Sequence, residues 1–109
     1  MTGRLLLVAT PIGNLDDLSQ RAVASFAAAD LIACEDTRIS SRLTQRYGIA
    51  APLLAYHEHN AARQRPKLLA ALAEGKAVAL ISDAGTPLIS DPGYRLVEAA
   101  IKDADLPAV

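Results

Sequence analysis

Five groups of residues have types and spacings suited to chemistry. Residues 10–17, TPIGNLDD, place Gly13 in a turn before a helix. Glycine lets a backbone approach a ligand closely, and a helix start presents unpaired N–H groups. Neither G-x-G-x-x-G nor G-x-x-x-x-G-K-[ST] is present, so dinucleotide and P-loop readings lack support, and an ordinary strand-to-helix turn explains the segment as well. Residues 82–93, SDAGTPLISDPG, form a connection longer than most of its kind. It carries Asp83 and Asp91 but no Lys or Arg, so it is not built for phosphate. It either holds a ligand through backbone groups near Gly85 and apolar contact from Leu88 and Ile89, or is a connector folded on itself.

Glu35-Asp36-Thr37-Arg38 brings two acids, a hydroxyl and a base together, which suits acid–base work or the capping of a helix. His57-Glu58-His59 spaces two imidazoles by two residues. With no third ligand evident and no H-E-x-x-H spacing, it reads as a hydrogen-bonding, acid–base or surface group, and no metal is expected. Arg38, Arg42 and Arg46 recur every four residues and share one helix face, either solvated or suited to an RNA backbone. Arg63, Arg65 and Lys67 would enlarge that patch if the two groups meet in space.

The elements that position these residues follow from hydrophobic patterning. Apolar runs at 5–9, 31–34, 53–56 and 77–81 end in turn or polar residues, as strands buried on both faces of a parallel sheet do. Helices are expected between them. The first is capped by Asp16 or Asp17 and runs to about Ala29, with Leu18, Ala22, Phe26 and Ala29 on one face. The second opens at Thr37 or Ser40 and runs to Tyr47, with Gly48 as its stop. The third runs from an Asn60 cap to Glu74 with Gly75 as stop, or starts near Arg65 so that Pro66 lies in its first turn. A last helix is expected from about Gly93 to Lys102. The order β-α-β-α-β-α-β-loop-α predicts an α/β fold, a mostly parallel sheet with helices on both faces. In such a sheet ligands bind beyond the carboxyl ends of the strands, where the four strand-end loops fall.

Composition narrows the classes. The chain has 109 residues, 51% hydrophobic, with 11 basic and 12 acidic side chains, which suits one globular domain and excludes disorder. The balanced charge argues against a free-standing electrostatic nucleic-acid binder but allows a local basic face. One cysteine, Cys34, leaves no disulfide framework and fits a reducing compartment, so a cytoplasmic setting is expected. No apolar run approaches membrane-spanning length, and the N-terminal apolar run reads as a strand rather than a leader. Ala and Leu exceed a third of the chain, while aromatics number four, so the Tyr residues are expected at edges or clefts.

Taken together, VATPIGNLDDLS, ADLIACEDTR and ALISDAGTPLISDPG resemble the tetrapyrrole methylase superfamily, and within it the ribosomal RNA small subunit methyltransferase I branch. The resemblance spans Leu5 to Lys102. It implies a two-domain α/β enzyme, usually a homodimer, that binds S-adenosylmethionine in a cleft and methylates a cytidine ribose 2′-hydroxyl in small-subunit ribosomal RNA. By position, Ile12 and Gly13 stand in the first cofactor loop. Ala84, Gly85, Thr86 and Pro87 stand where many relatives carry a G-G-D-P-like sequence, with Leu88 and Ile89 following on the cofactor side. Pro11 and Ile12 replace the Gly-Pro of porphyrin-precursor enzymes, and Thr86 replaces their Asp. Both departures point to the RNA branch.

Residues 1–109 are then expected to be the N-terminal domain, with the C-terminal domain beyond Val109, and the isolated chain to be inactive. Glu35, Asp36 and His57 are the candidate catalytic residues, and Arg38, Arg42 and Arg46 the candidate RNA contacts. The alternatives are a corrin or porphyrin precursor C-methyltransferase with the same cofactor, or a non-catalytic α/β dimerisation module.

Overall fold

The computed structural model describes residues 3–10, 18–57 and 59–83. Its elements are β1 (Arg4–Thr10), α1 (Gln20–Ala28), β2 (Leu31–Cys34), α2 (Thr37–Tyr47), β3 (Leu53–Ala55), α3 (Ala61–Ala73) and β4 (Ala77–Asp83). The expected helix after Gly93 lies outside the described residues, as do Asp16 and Asp17. The first helix starts later than expected, because Ser19 caps it: its Oγ accepts the Ala22 N–H at 3.1 Å.

All strand pairs are parallel, in the order β1-β4-β2-β3. The chain advances along the sheet through α1 and α2, then steps back through α3 to insert β4 between β1 and β2. Right-handed crossovers in opposite directions put helices on opposite faces. Two cores result. Leu68, Ala71 and Leu72 of α3 pack with Leu5, Ala33, Val78 and Leu80 on one face. Phe26 of α1 and Leu43 of α2 pack with Val8, Ile32 and Ala79 on the other. The strand residues alternate between these cores with the period of two that a pleated strand imposes. The central strands are buried on both sides, which explains their unbroken apolar runs.

Both expected glycine stops are realised. Gly48 and Gly75 adopt φ of 64° and 88°, the left-handed region that glycine enters without a Cβ clash. After α3, Gly75 N–H donates to Leu72 O and Lys76 N–H to Ala71 O, which closes the helix as a Schellman motif. Of the two starts expected for α3 the earlier is realised: it begins at Ala61, directly after Asn60, and carries Pro66 inside it. Both Pro66 and Ala62, whose carbonyl loses its partner, are exposed, so water can meet that carbonyl. Asn60 occupies the N-cap position, but its side chain makes no capping bond.

Candidate functional site

Parallel pairing brings the carboxyl ends of all four strands to one rim. Thr10 pairs with Asp83, so the chain leaves β1 and β4 at neighbouring points. Cys34 pairs with Ala55, and Tyr56 N–H donates to Cys34 O at 2.8 Å, so Glu35 and His57 begin their loops side by side. Among the described residues, 35–38 and His57 stand at this rim, where sequence patterning placed them. Of the expected cofactor residues, Ile12, Gly13, Ala84, Gly85, Thr86, Pro87, Leu88 and Ile89 lie outside the described residues.

Asp36 is the N-cap of α2. Its Oδ1 accepts the Arg38 backbone N–H at 2.9 Å and the Arg38 Nε–H at 3.4 Å. These bonds, led by the backbone one, hold its carboxyl below the ordinary aspartate range. A carboxylate so stabilised is a weak base, suited to accepting hydrogen bonds. Glu35 is exposed and makes no ion pair among the described residues. Behind them Cys34 is buried and its Sγ faces Leu54 O at 3.9 Å. Burial pushes the thiol up, with Asp36 adding to the rise and a Ser40 hydrogen bond opposing it, so Cys34 is a packing residue.

His57 sits in a turn with its own hydrogen bonds. Its backbone N–H donates to Asn60 Oδ1 at 2.8 Å, and its Nδ1 accepts the His59 N–H at 3.2 Å. With the Nδ1 lone pair engaged, the neutral ring carries its proton on Nε2. In this geometry His57 offers a donor, and accepting a substrate proton requires the turn to open.

The turn also explains why Asn60 does not cap α3. Its Oδ1 holds the His57 N–H and its Nδ2 donates to Ala55 O at 3.0 Å. Gln64, one helical turn on, donates to the same carbonyl at 3.2 Å, while its buried Oε1 meets no donor among the described residues. Gln64 was not singled out from sequence, although its i+4 spacing from Asn60 placed both on one face. Tyr56 is buried at the rim, and its hydroxyl accepts the Arg65 Nε–H at 2.9 Å. Tyr56 is therefore packed into the core, contrary to the expectation that the Tyr residues lie at edges or clefts, because its hydroxyl finds a partner in Arg65.

The two basic groups do not merge into one patch. Arg38, Arg42 and Arg46 are exposed on α2, while Arg63, Arg65 and Lys67 belong to α3 on the opposite face of the sheet. Among the described residues no group of three or more His, Cys, Asp and Glu could hold a metal ion, and no helix is long and apolar enough to cross a membrane.

The fold is of the open, parallel α/β class, with the described candidate groups at the carboxyl rim of its sheet. Residues 4–109 match the family model described as Tetrapyrrole (Corrin/Porphyrin) Methylases, and the chain belongs to that family. It is 66% identical over 97 residues to the ribosomal RNA small subunit methyltransferase I of Mesorhizobium japonicum, covering 89% of this chain and 33% of that protein. The protein of the same name from Haemophilus influenzae is 54% identical over 111 residues, covering 98% of this chain and 39% of the relative. The chain thus spans about a third of the length of these relatives. The crystal structure of uroporphyrin-III-C-methyltransferase from Thermus thermophilus superimposes with a TM-score of 0.68 at 21% identity, covering 98% of this chain and 46% of that one. That likeness establishes the fold.

Proposed function

We propose that the intact gene product is an S-adenosylmethionine-dependent methyltransferase acting on a cytidine ribose 2′-hydroxyl of small-subunit ribosomal RNA. This chain supplies its N-terminal, cofactor-binding domain. The observation that carries this reading is the 66% identity to a ribosomal RNA small subunit methyltransferase I. The adjacent departures of the chain from β1 and β4 support a shared cofactor pocket there. Ile12, Gly13, Ala84, Gly85, Thr86, Pro87, Leu88 and Ile89 would line it. The cofactor, when bound, supplies a methyl group activated on a sulfonium.

The chain's own task is alignment and the handling of one proton. A ribose hydroxyl is a poor nucleophile near neutral pH, so an acceptor for its proton helps. Glu35, exposed at the rim, takes that role in this reading. Asp36, committed to α2, orients Arg38, and His57 donates through Nε2. Arg38, Arg42 and Arg46 meet phosphates, which gives position rather than sequence readout. The enzyme works as a cytoplasmic homodimer, and the 109-residue chain by itself does not turn over.

The test is transfer of labelled methyl from S-adenosylmethionine to small ribosomal subunits that lack the modification. Label on a cytidine 2′-oxygen supports the proposal. Label on a corrin or porphyrin precursor, with none on RNA, overturns it.

A further inference from the structure

We propose that the first two turns of α3 form a second RNA-backbone contact surface, so that α2 and α3 hold one RNA strand from the two faces of the sheet at its β2–β3 end. This rests on the RNA-methyltransferase reading above. β2 and β3 are adjacent and parallel, and each leads into its helix at the same rim. α2 leaves toward one face and α3 toward the other, so their first turns flank the rim that carries Glu35, Asp36 and His57.

The charge on α3 runs against what helix stability asks. Its first turn holds no acid, and Arg63, Arg65 and Lys67 lie within its first two turns. Cations near a helix N-terminus face the positive end of the dipole, an arrangement that disfavours the helix but attracts a polyanion. Composition does not account for this. Residues 37–67 hold six of the chain's eleven basic side chains and one of its twelve acidic ones, in a chain of net charge −1. Arg63 and Lys67 are exposed, and the exposed positions beside them are Ala62, Pro66 and Ala70, small residues that let a backbone come close. Arg65 is held by its Nε–H bond to the Tyr56 hydroxyl, which fixes where its guanidinium stands relative to the rim. On the other face Arg38 is almost fully exposed and oriented by Asp36. A strand crossing the rim would meet Arg38 and Arg42 on one side and Arg63 and Lys67 on the other.

The experiment uses the intact gene product, with unmodified small-subunit ribosomal RNA as probe and affinity measured across salt concentrations. Arg63→Ala with Lys67→Ala should lower affinity for RNA of any sequence. It should also flatten the slope of log affinity against log salt by about 0.7 for each single-strand phosphate that is no longer neutralised. kcat at saturating RNA should hold while KM rises, and the melting temperature should not fall, because alanine favours helix and the dipole repulsion is relieved. Arg63→Lys with Lys67→Arg should restore binding. An unchanged slope in the alanine pair, alongside a reduced slope in Arg42→Ala, would confine RNA to α2 and overturn the two-sided grip while leaving the RNA reading intact. If the wild-type protein binds no RNA, both readings fail.

Discussion

The Oδ1 of Asp36 meets Arg38 twice, at its backbone N–H and at its Nε–H, so one carboxylate both starts α2 and aims the first arginine of its basic face. These bonds favour the charged form in the folded state and hold the carboxyl below the ordinary aspartate range. The associated stability is present above the ordinary value and lost as pH falls through the lowered one. In Asp36→Asn the cap is retained, since asparagine caps as well as aspartate. Denaturant melts should therefore agree between wild type and variant near pH 7. Below about pH 4 the wild type should lose more stability than the variant. Parallel acid profiles would remove Asp36 from that role.

Asn60 and Gln64 share one acceptor, Ala55 O, but their removal should differ. Asn60→Ala strips the partner from the His57 N–H and should cost about 1–3 kcal/mol by chemical denaturation. Gln64→Leu leaves Ala55 O bonded to Asn60 and removes the unpartnered Oε1, so its cost should stay below about 1 kcal/mol. Equal losses would contradict this division.

Phe26 is fully buried between α1 and the sheet, in a protein with one phenylalanine and no tryptophan. Phe26→Ala should cost about 3–5 kcal/mol, a large part of the roughly 5–15 kcal/mol typical of a folded domain. Calorimetry should show a lower melting temperature or no cooperative transition.

Gly3 donates its N–H to Leu72 O at 2.8 Å, and a Cβ there would run into the Lys76 and Leu72 carbonyls. Gly3→Ala should force β1 away from the end of α3 and cost about 1–3 kcal/mol. Hydrogen exchange should quicken at Arg4, whose N–H bonds Lys76 O.

Cys34 should resist iodoacetamide in the native protein, because its thiol is buried and its pKa raised. Alkylation should run at least about tenfold slower than in the denatured chain. Comparable rates would show that the rim opens to solvent.

Much of this protein was legible in its sequence because the signals are local. Apolar runs closed by turn residues located four strands, and Gly48 and Gly75 marked two helix ends, since a left-handed stop is a property of single residues. Even the gathering of Glu35, Asp36 and His57 at one rim followed from strand–helix alternation. Other features depend on long-range pairing, which no periodicity records. The insertion of β4 between β1 and β2 reverses the direction of chain travel and sends α3 to the face opposite α2. That step separates two arginine groups that lie close in sequence. Long-range pairing also settled the fate of Asn60: once β3 and its turn were in place, the His57 N–H and the Ala55 carbonyl needed partners more than the start of α3 did. Local patterning thus sets which elements form and where chemistry gathers along the chain. Which strands neighbour one another, which face each basic helix occupies and which hydrogen bonds the rim side chains make are set later, because they depend on residues that meet only when the sheet closes.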